Sequence, residues 1–123
     1  MSLRSLLAIA LAAAALGAAP ALAAADEAHY GTIDSVAAVD AANSAGWHRY
    51  GLELTGVLDA GGGAVTKTYF AYTDNDQGKT VVEQCQRAAT IVLSRPGRFR
   101  LDVTYQPSGS SSYVTRCRLS RID

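Results

Sequence analysis

Apolar and polar positions along this chain follow two different periods. Between residues 80 and 94, Val82, Cys85, Ala89 and Val92 recur at the i, i+3, i+7, i+10 spacing of one helical face, with Val81, Ala88 and Leu93 beside them. The spacing predicts one amphipathic helix, whose outward positions Glu83, Gln84, Arg87 and Thr90 are polar. Thr80 and Glu83 stand three apart ahead of the apolar run, so a capping box is expected to open the helix there. Pro96 disfavours helical geometry at Arg95, and Gly97 suits a left-handed turn, so the helix should end near Ser94.

Elsewhere the period is two. Residues 30–40 alternate weakly, with Ile33, Ser35, Ala37 and Val39 on one side and Asp34, Val36 and Ala38 on the other. After turn chemistry at residues 41–46, residues 48–58 alternate more clearly, with Tyr50, Leu52, Leu54 and Leu58 inward and Arg49, Glu53 and Thr55 outward. Gly51 and Gly56 interrupt that strand and predict a sharp bend or bulge. Three consecutive glycines, Gly61 to Gly63, predict the loop of a hairpin leading to a strand over residues 65–73. That strand carries Tyr69 on one face and Phe70 and Tyr72 on the other, so the pattern leaves its inner face open. Residues 74–78 read as a polar connector. Beyond the helix, Phe99, Leu101, Val103 and Tyr105 alternate with Arg98, Arg100, Asp102 and Thr104. Residues 106–112, rich in serine with Pro107 and Gly109, are expected to form a loop. In the last strand, residues 113–122, Tyr113, Thr115, Cys117 and Leu119 are expected inward and Val114, Arg116 and Arg118 outward.

The order is therefore β-β-β-α-β-β, a mainly β chain with one helix. Five curved strands with a helix between the third and fourth make the element order of an OB-fold, a small barrel whose helix closes one end. An α+β sandwich, with the helix laid on one face of a meander, uses the same elements. Cys85 and Cys117 both fall on inward faces and are the chain's two cysteines, so a disulfide between helix and last strand is expected.

The start of the chain carries a different signal. A positive end at Arg4, an apolar run over residues 5–17 and Ala21-Leu22-Ala23 together read as a secretory signal peptide, cleaved after residue 23 or 25. The run is shorter than the ~20 residues a bilayer span needs, so no membrane span is expected once the signal is removed. Residues 26–123 then form a single domain, periplasmic or secreted, small enough to gain from a disulfide. Formal charge is zero but unevenly spread. Between Asp26 and Gln77, Arg49 and Lys67 face eight acids: Asp26, Glu27, Asp34, Asp40, Glu53, Asp59, Asp74 and Asp76. From Gly78 onward Lys79, Arg87, Arg95, Arg98, Arg100, Arg116, Arg118 and Arg121 outnumber Glu83, Asp102 and Asp123. Internal complementarity, or association of copies, accounts for this most simply. A near-neutral exported chain is a poor candidate for nucleic acid.

Candidate chemistry is sparse. Gly78-Lys79-Thr80 resembles the end of a phosphate-binding loop, but Thr73 stands where the first glycine belongs. His29 and His48 form no metal-binding or Ser-His-Asp pattern, and Asp74 with Asp76 lacks the other ligands of a calcium loop. No cofactor, metal or catalytic residue is assigned, and an enzyme built from dispersed residues is the third reading. The candidate recognition surface is Trp47, His48, Arg49 and Tyr50, framed by Tyr69, Tyr72 and the serine-rich segment 108–112. Trp47 can stack on a sugar or fill a partner's pocket, and Arg49 can grip an anion. A lone Trp in a small domain also serves as a core or loop anchor.

The helix with Cys85-Gln86-Arg87-Ala88, followed by Arg95-Pro96-Gly97-Arg98-Phe99-Arg100-Leu101, resembles the helix, turn and strand of the OB-fold B subunits of bacterial AB-type toxins. The resemblance is architectural and spans most of residues 26–123. It implies ring pentamers and binding of cell-surface glycans, with no site residue carried over. The expected function is a non-enzymatic binding module, in one or several copies, for a glycan or protein surface. The alternative is a monomeric periplasmic inhibitor or accessory of an envelope component.

Overall fold

The computed structural model describes residues 25–42, 46, 48–73 and 75–122. The expected signal peptide, apart from Ala25, and Trp47 lie outside the described residues. The elements are β1 (Asp26–Ala42), β2 (His48–Leu58), β3 (Val65–Ala71), α1 (Asp76–Ser94), β4 (Phe99–Ser108) and β5 (Ser111–Arg121), in the predicted order. The strands close into a barrel in the order β1-β2-β3-β5-β4, antiparallel throughout except where β3 meets β5. This is an OB-like barrel and not a sandwich. Among the described residues no helix is long and apolar enough to cross a membrane.

Closure depends on β1, whose first residues pair with β4 and whose remainder pairs with β2. It turns from one neighbour to the other through register shifts between Tyr30 and Thr32 and between Ile33 and Ser35. Each extra residue resets which side chains point inward. The buried set is therefore Ala28, Tyr30 and Ile33, while Ser35 and Ala37 are exposed, which corrects the simple alternation expected. The glycines of β2 answer to close backbone approach, while the bulges fall opposite, in β1. A side chain at Gly51 would run into the Tyr69 carbonyl, and one at Gly56 into that of Thr32. A second shift, between Thr104 and Tyr105, leaves Thr115 as the extra residue of β5. Val114 is consequently buried and Thr115 exposed, the reverse of the expected pattern, whereas Cys117 and Leu119 do pack inward.

The core is filled by Leu52, Leu54, Leu101, Val103 and Val114 with Tyr30 and Tyr69. Each such side chain contributes roughly 1.5–3 kcal/mol when fully buried. Helix α1 covers one end of the barrel with Val82, Cys85, Ala89 and Val92, the four positions its sequence spacing selects. Cys85 is bonded to Cys117, with Cα atoms 5.3 Å apart, and ties the helix to β5.

Two boundaries differ from expectation. The helix begins at Asp76 with Asn75 as N-cap, its side chain accepting from the Gly78 amide at 3.2 Å and from the Thr73 hydroxyl at 2.6 Å. Thr80 is already inside and donates to the Asp76 carbonyl at 2.7 Å, so the Thr80–Glu83 capping box is not used. An asparagine five residues earlier caps equally well and gains a turn of helix. The expected loop over residues 106–112 is instead mostly strand: Ser108 pairs with Ser111 across a two-residue turn led by Gly109 at φ 60°. The left-handed glycine makes so tight a turn affordable.

Candidate functional site

The start of β2, the end of β3 and the start of β5 lie side by side in the barrel wall. The β1–β2 link lies between Ala42 and His48, β3 runs out at Ala71 toward the helix N-terminus, and the β4–β5 hairpin turns at Gly109. Arg49 and Tyr50 open β2 here and, by alternation, serve its two faces.

On the outer face Arg49 is held between β3 and β5. Its guanidinium carbon lies 3.7 Å from the centre of the Phe70 ring and 5.7 Å from that of Tyr113. Its Nη2 donates to the Ser111 hydroxyl at 2.9 Å and to the Tyr113 hydroxyl at 3.3 Å. Phe70 and Tyr113 meet here because they are one of the two parallel pairs joining β3 to β5, their ring centres 6.5 Å apart. Gly51 opposite Phe70 leaves that ring room over the strand. The result is a cation on an aromatic platform, a half-buried arrangement worth about 0.5–2 kcal/mol. The fork of donors is fixed in place before any ligand arrives.

On the other side of β2, Tyr50 forms the floor of a groove of about 290 Å³ between the β1–β2 pair and the first half of α1, with Asp40, Lys79, Val82, Glu83 and Gln86 around it. Lys79 Nζ sits 4.4 Å above the Tyr50 ring centre. His48 Nδ1 donates to Asp40 Oδ1 at 2.9 Å on the exposed rim. An apolar floor with separated charges of both signs at the rim suits a ligand of mixed character more than a simple ion.

Of the expected recognition residues, Arg49 and Tyr50 fall on opposite faces of β2, His48 lies on the rim beside Asp40, and Ser111 of the serine-rich segment is bonded to Arg49. Tyr69 does not belong with them. It is fully buried inside the barrel, its ring 5.5 Å from that of Tyr105 and its hydroxyl 2.6 Å from that of Tyr30, because Tyr69 and Ala71 form the inner face of β3. Tyr72, 59% exposed, lies just past β3 in the link to the helix. Phe70, Tyr113, Lys79 and Asp40 were not among the expected site residues. The strand pattern of residues 65–73 left its outer face undecided, and only the β3–β5 pairing puts Phe70 beside Tyr113.

A second polar cluster crosses the outer face of β1, β4 and β5. His29 Nδ1 donates to Asp102 Oδ1 at 2.6 Å, and its Nε2 lies 3.5 Å from Glu27. Asp102, 9% exposed, also ion-pairs with Arg100 at 3.2 Å, while Arg100 reaches Asp59 at 3.3 Å. A His–Asp pair of this length resembles half of a hydrolase triad. Here the free imidazole nitrogen faces a carboxylate, and the nearby Ser120 hydroxyl points to Asp102 Oδ2 at 3.5 Å. No nucleophile is aligned on His29, and the cluster works as a cross-strand ladder of alternating charge. Among the described residues no three His, Cys, Asp or Glu side chains form a metal-binding group. Compared with protein-family models, with curated proteins and with solved structures, the chain finds no match.

Proposed function

We propose that this protein is an exported binding module, acting by recognition and not by catalysis, that takes a glycan or protein surface around the start of β2. The observation that carries the reading is Arg49, stacked 3.7 Å from the Phe70 ring centre and anchored by Ser111 and Tyr113. An immobilised guanidinium loses little side-chain entropy on binding, and its remaining N–H groups form a fork suited to carboxylate or paired hydroxyl oxygens. The exposed Tyr72 ring just past β3, and the groove over Tyr50 on the other side of β2, supply apolar area, the combination a sugar or a protein loop requires. Likeness to toxin B subunits adds a ring of copies to this reading. The exposed, polar outward face of α1 at Glu83, Gln84, Arg87 and Thr90 favours the monomeric inhibitor or accessory instead.

The test is a glycan array and an affinity screen against envelope proteins, run with the oxidised protein and with Arg49→Ala and Tyr72→Ala. Hits lost in both variants, at unchanged thermal stability for Tyr72→Ala, support the reading. Hits retained by both variants sink it. Light scattering on a sizing column separates the alternatives, a five-copy species favouring the ring and a single copy the inhibitor or accessory.

A further inference from the structure

Where α1 gives way to β4, the turn and the end of β5 enclose a cleft of about 310 Å³ lined by Arg95, Arg98, Phe99, Arg121 and Ile122. It continues over Pro96. Three guanidinium side chains thus surround one concavity, and no carboxylate of the described residues lines it. The local backbone imposes the grouping. Arg95 N–H caps the helix on the Ile91 carbonyl, Gly97 takes φ 78°, and Arg98 N–H bonds back to the Arg95 carbonyl at 3.2 Å, so both arginines leave a single turn. Arg121 is paired with Phe99, and the Ile122 amide donates to the Arg98 carbonyl at 2.9 Å, which brings the end of β5 alongside.

The arginine side chains of this cleft make no ion pair or side-chain hydrogen bond to any described residue. Asp59 and Asp102 are engaged elsewhere, Asp59 by Arg100 and Asp102 by His29 and Arg100. Asp123, next in sequence to Ile122, lies outside the described residues. A cation near a helix C-terminus has a structural use, since the last carbonyls carry partial negative charge, but that use calls for one cation and not three about a cleft. Three like charges held together raise one another's energy unless an anion joins them. Arginine is the side chain best matched to tetrahedral oxyanions, through paired N–H donors.

We propose that this cleft is a binding site for a phosphate or sulfate ester group, with Arg95, Arg98 and Arg121 as its ligands and Phe99 and Ile122 as an apolar wall for the group bearing it. The proposal is independent of the reading above, which concerns other residues around the start of β2. Such a group reaches an exported protein either on a soluble ester or on a lipid headgroup. The shared chemistry is tested first, by following the amide spectrum of the ¹⁵N-labelled oxidised protein during titration with sodium phosphate and sodium sulfate against sodium chloride of equal ionic strength. Saturable shifts confined to residues 95–99 and 121–122, and weakened about tenfold in Arg98→Gln and in Arg121→Gln, are expected. Neither variant removes an intramolecular side-chain bond, so both should melt where the parent does. In parallel, co-sedimentation with phosphatidylglycerol vesicles is compared with phosphatidylcholine vesicles. Recruitment to the anionic vesicles that Arg121→Gln abolishes assigns the site to a lipid headgroup, and phosphate binding without recruitment assigns it to a soluble ester. Shifts equal to those of chloride, or unchanged in both variants, together with no variant-sensitive recruitment, overturn the proposal.

Discussion

Tyr30 and Tyr69 meet inside the barrel through a hydroxyl pair 2.6 Å apart, both rings fully buried. One hydroxyl donates and the other accepts, so neither is left unsatisfied. Tyr69→Phe strands the Tyr30 hydroxyl in an apolar interior and should cost about 1–3 kcal/mol. The double variant Tyr30→Phe/Tyr69→Phe removes both polar atoms and should be more stable than the sum of the single changes, a coupling readable from a cycle of urea denaturation curves. Burial also pushes both phenols above the usual tyrosine value of 10.0; in Tyr30 it outweighs the bond from Tyr69, which acts in the opposite direction. In the unfolded chain the same phenols ionise near 10.0. The unfolded state then binds fewer protons than the folded one, so stability is full below pH 10 and falls as pH rises beyond it. Denaturation midpoints measured between pH 8 and pH 11.5 should show the decline, and Tyr30→Phe/Tyr69→Phe should flatten it. A flat profile in the parent would remove the two phenols as its cause.

Elements of this fold are set by short-range chemistry until a neighbour intervenes. Gly78 lies in the first turn of α1, where alanine is ordinarily the better residue by about 1 kcal/mol. The position is buried, and a side chain there would meet the Thr73 carbonyl and hydroxyl. Gly78→Ala should therefore destabilise the protein and disturb the Asn75 cap, despite its helix propensity. Unchanged or increased stability in thermal denaturation would show that the Thr73–Asn75 link yields instead. Sequence periodicity identified every buried apolar position of α1 correctly because a helix covering a barrel end offers one continuous stripe. It missed the start of the helix because Asn75, Thr80 and Glu83 all carry capping chemistry, and the close approach of Thr73 to Gly78 that selects Asn75 is a tertiary fact.

For the molecule as a whole, the disulfide is the one covalent tie between the end-covering helix and the barrel wall. It closes 32 residues, a loop whose restriction in the unfolded chain is worth about 3–4 kcal/mol. For a small domain that is a large share of a total commonly near 5–15 kcal/mol. Reduction, or Cys85→Ala/Cys117→Ala, should lower the denaturation midpoint by that amount while leaving the barrel folded in the absence of denaturant. An equal midpoint for oxidised and reduced protein would mean that the helix holds its place by packing alone. Charge is also arranged at this scale. The excess of arginine after Gly78 is partly spent in the ladder through Arg100, Asp102 and Asp59, and partly collected around the turn after α1 with no ion pair to a described residue. The sequence showed the imbalance but not its resolution, because strand pairing places Arg100 beside Asp59 across 41 residues of chain.

Local pattern was enough to determine five strands and one helix, their order, the buried stripe of α1 and the Cys85–Cys117 bond, since each depends on spacing within one element or on the scarcity of cysteine. The same pattern sent Arg49 and Tyr50 to opposite faces of β2, because alternation there was clean. What only the tertiary structure decided followed from register. Bulges in β1 and β5 moved Ile33 and Val114 inward, and β3 turned Tyr69 into the core and Phe70 outward. The parallel meeting of β3 and β5 then built the platform on which Arg49 rests. A one-residue shift exchanges the two faces of a strand without altering its composition. Composition and spacing therefore carry the fold, while the faces that meet a ligand depend on contacts between residues far apart in the chain.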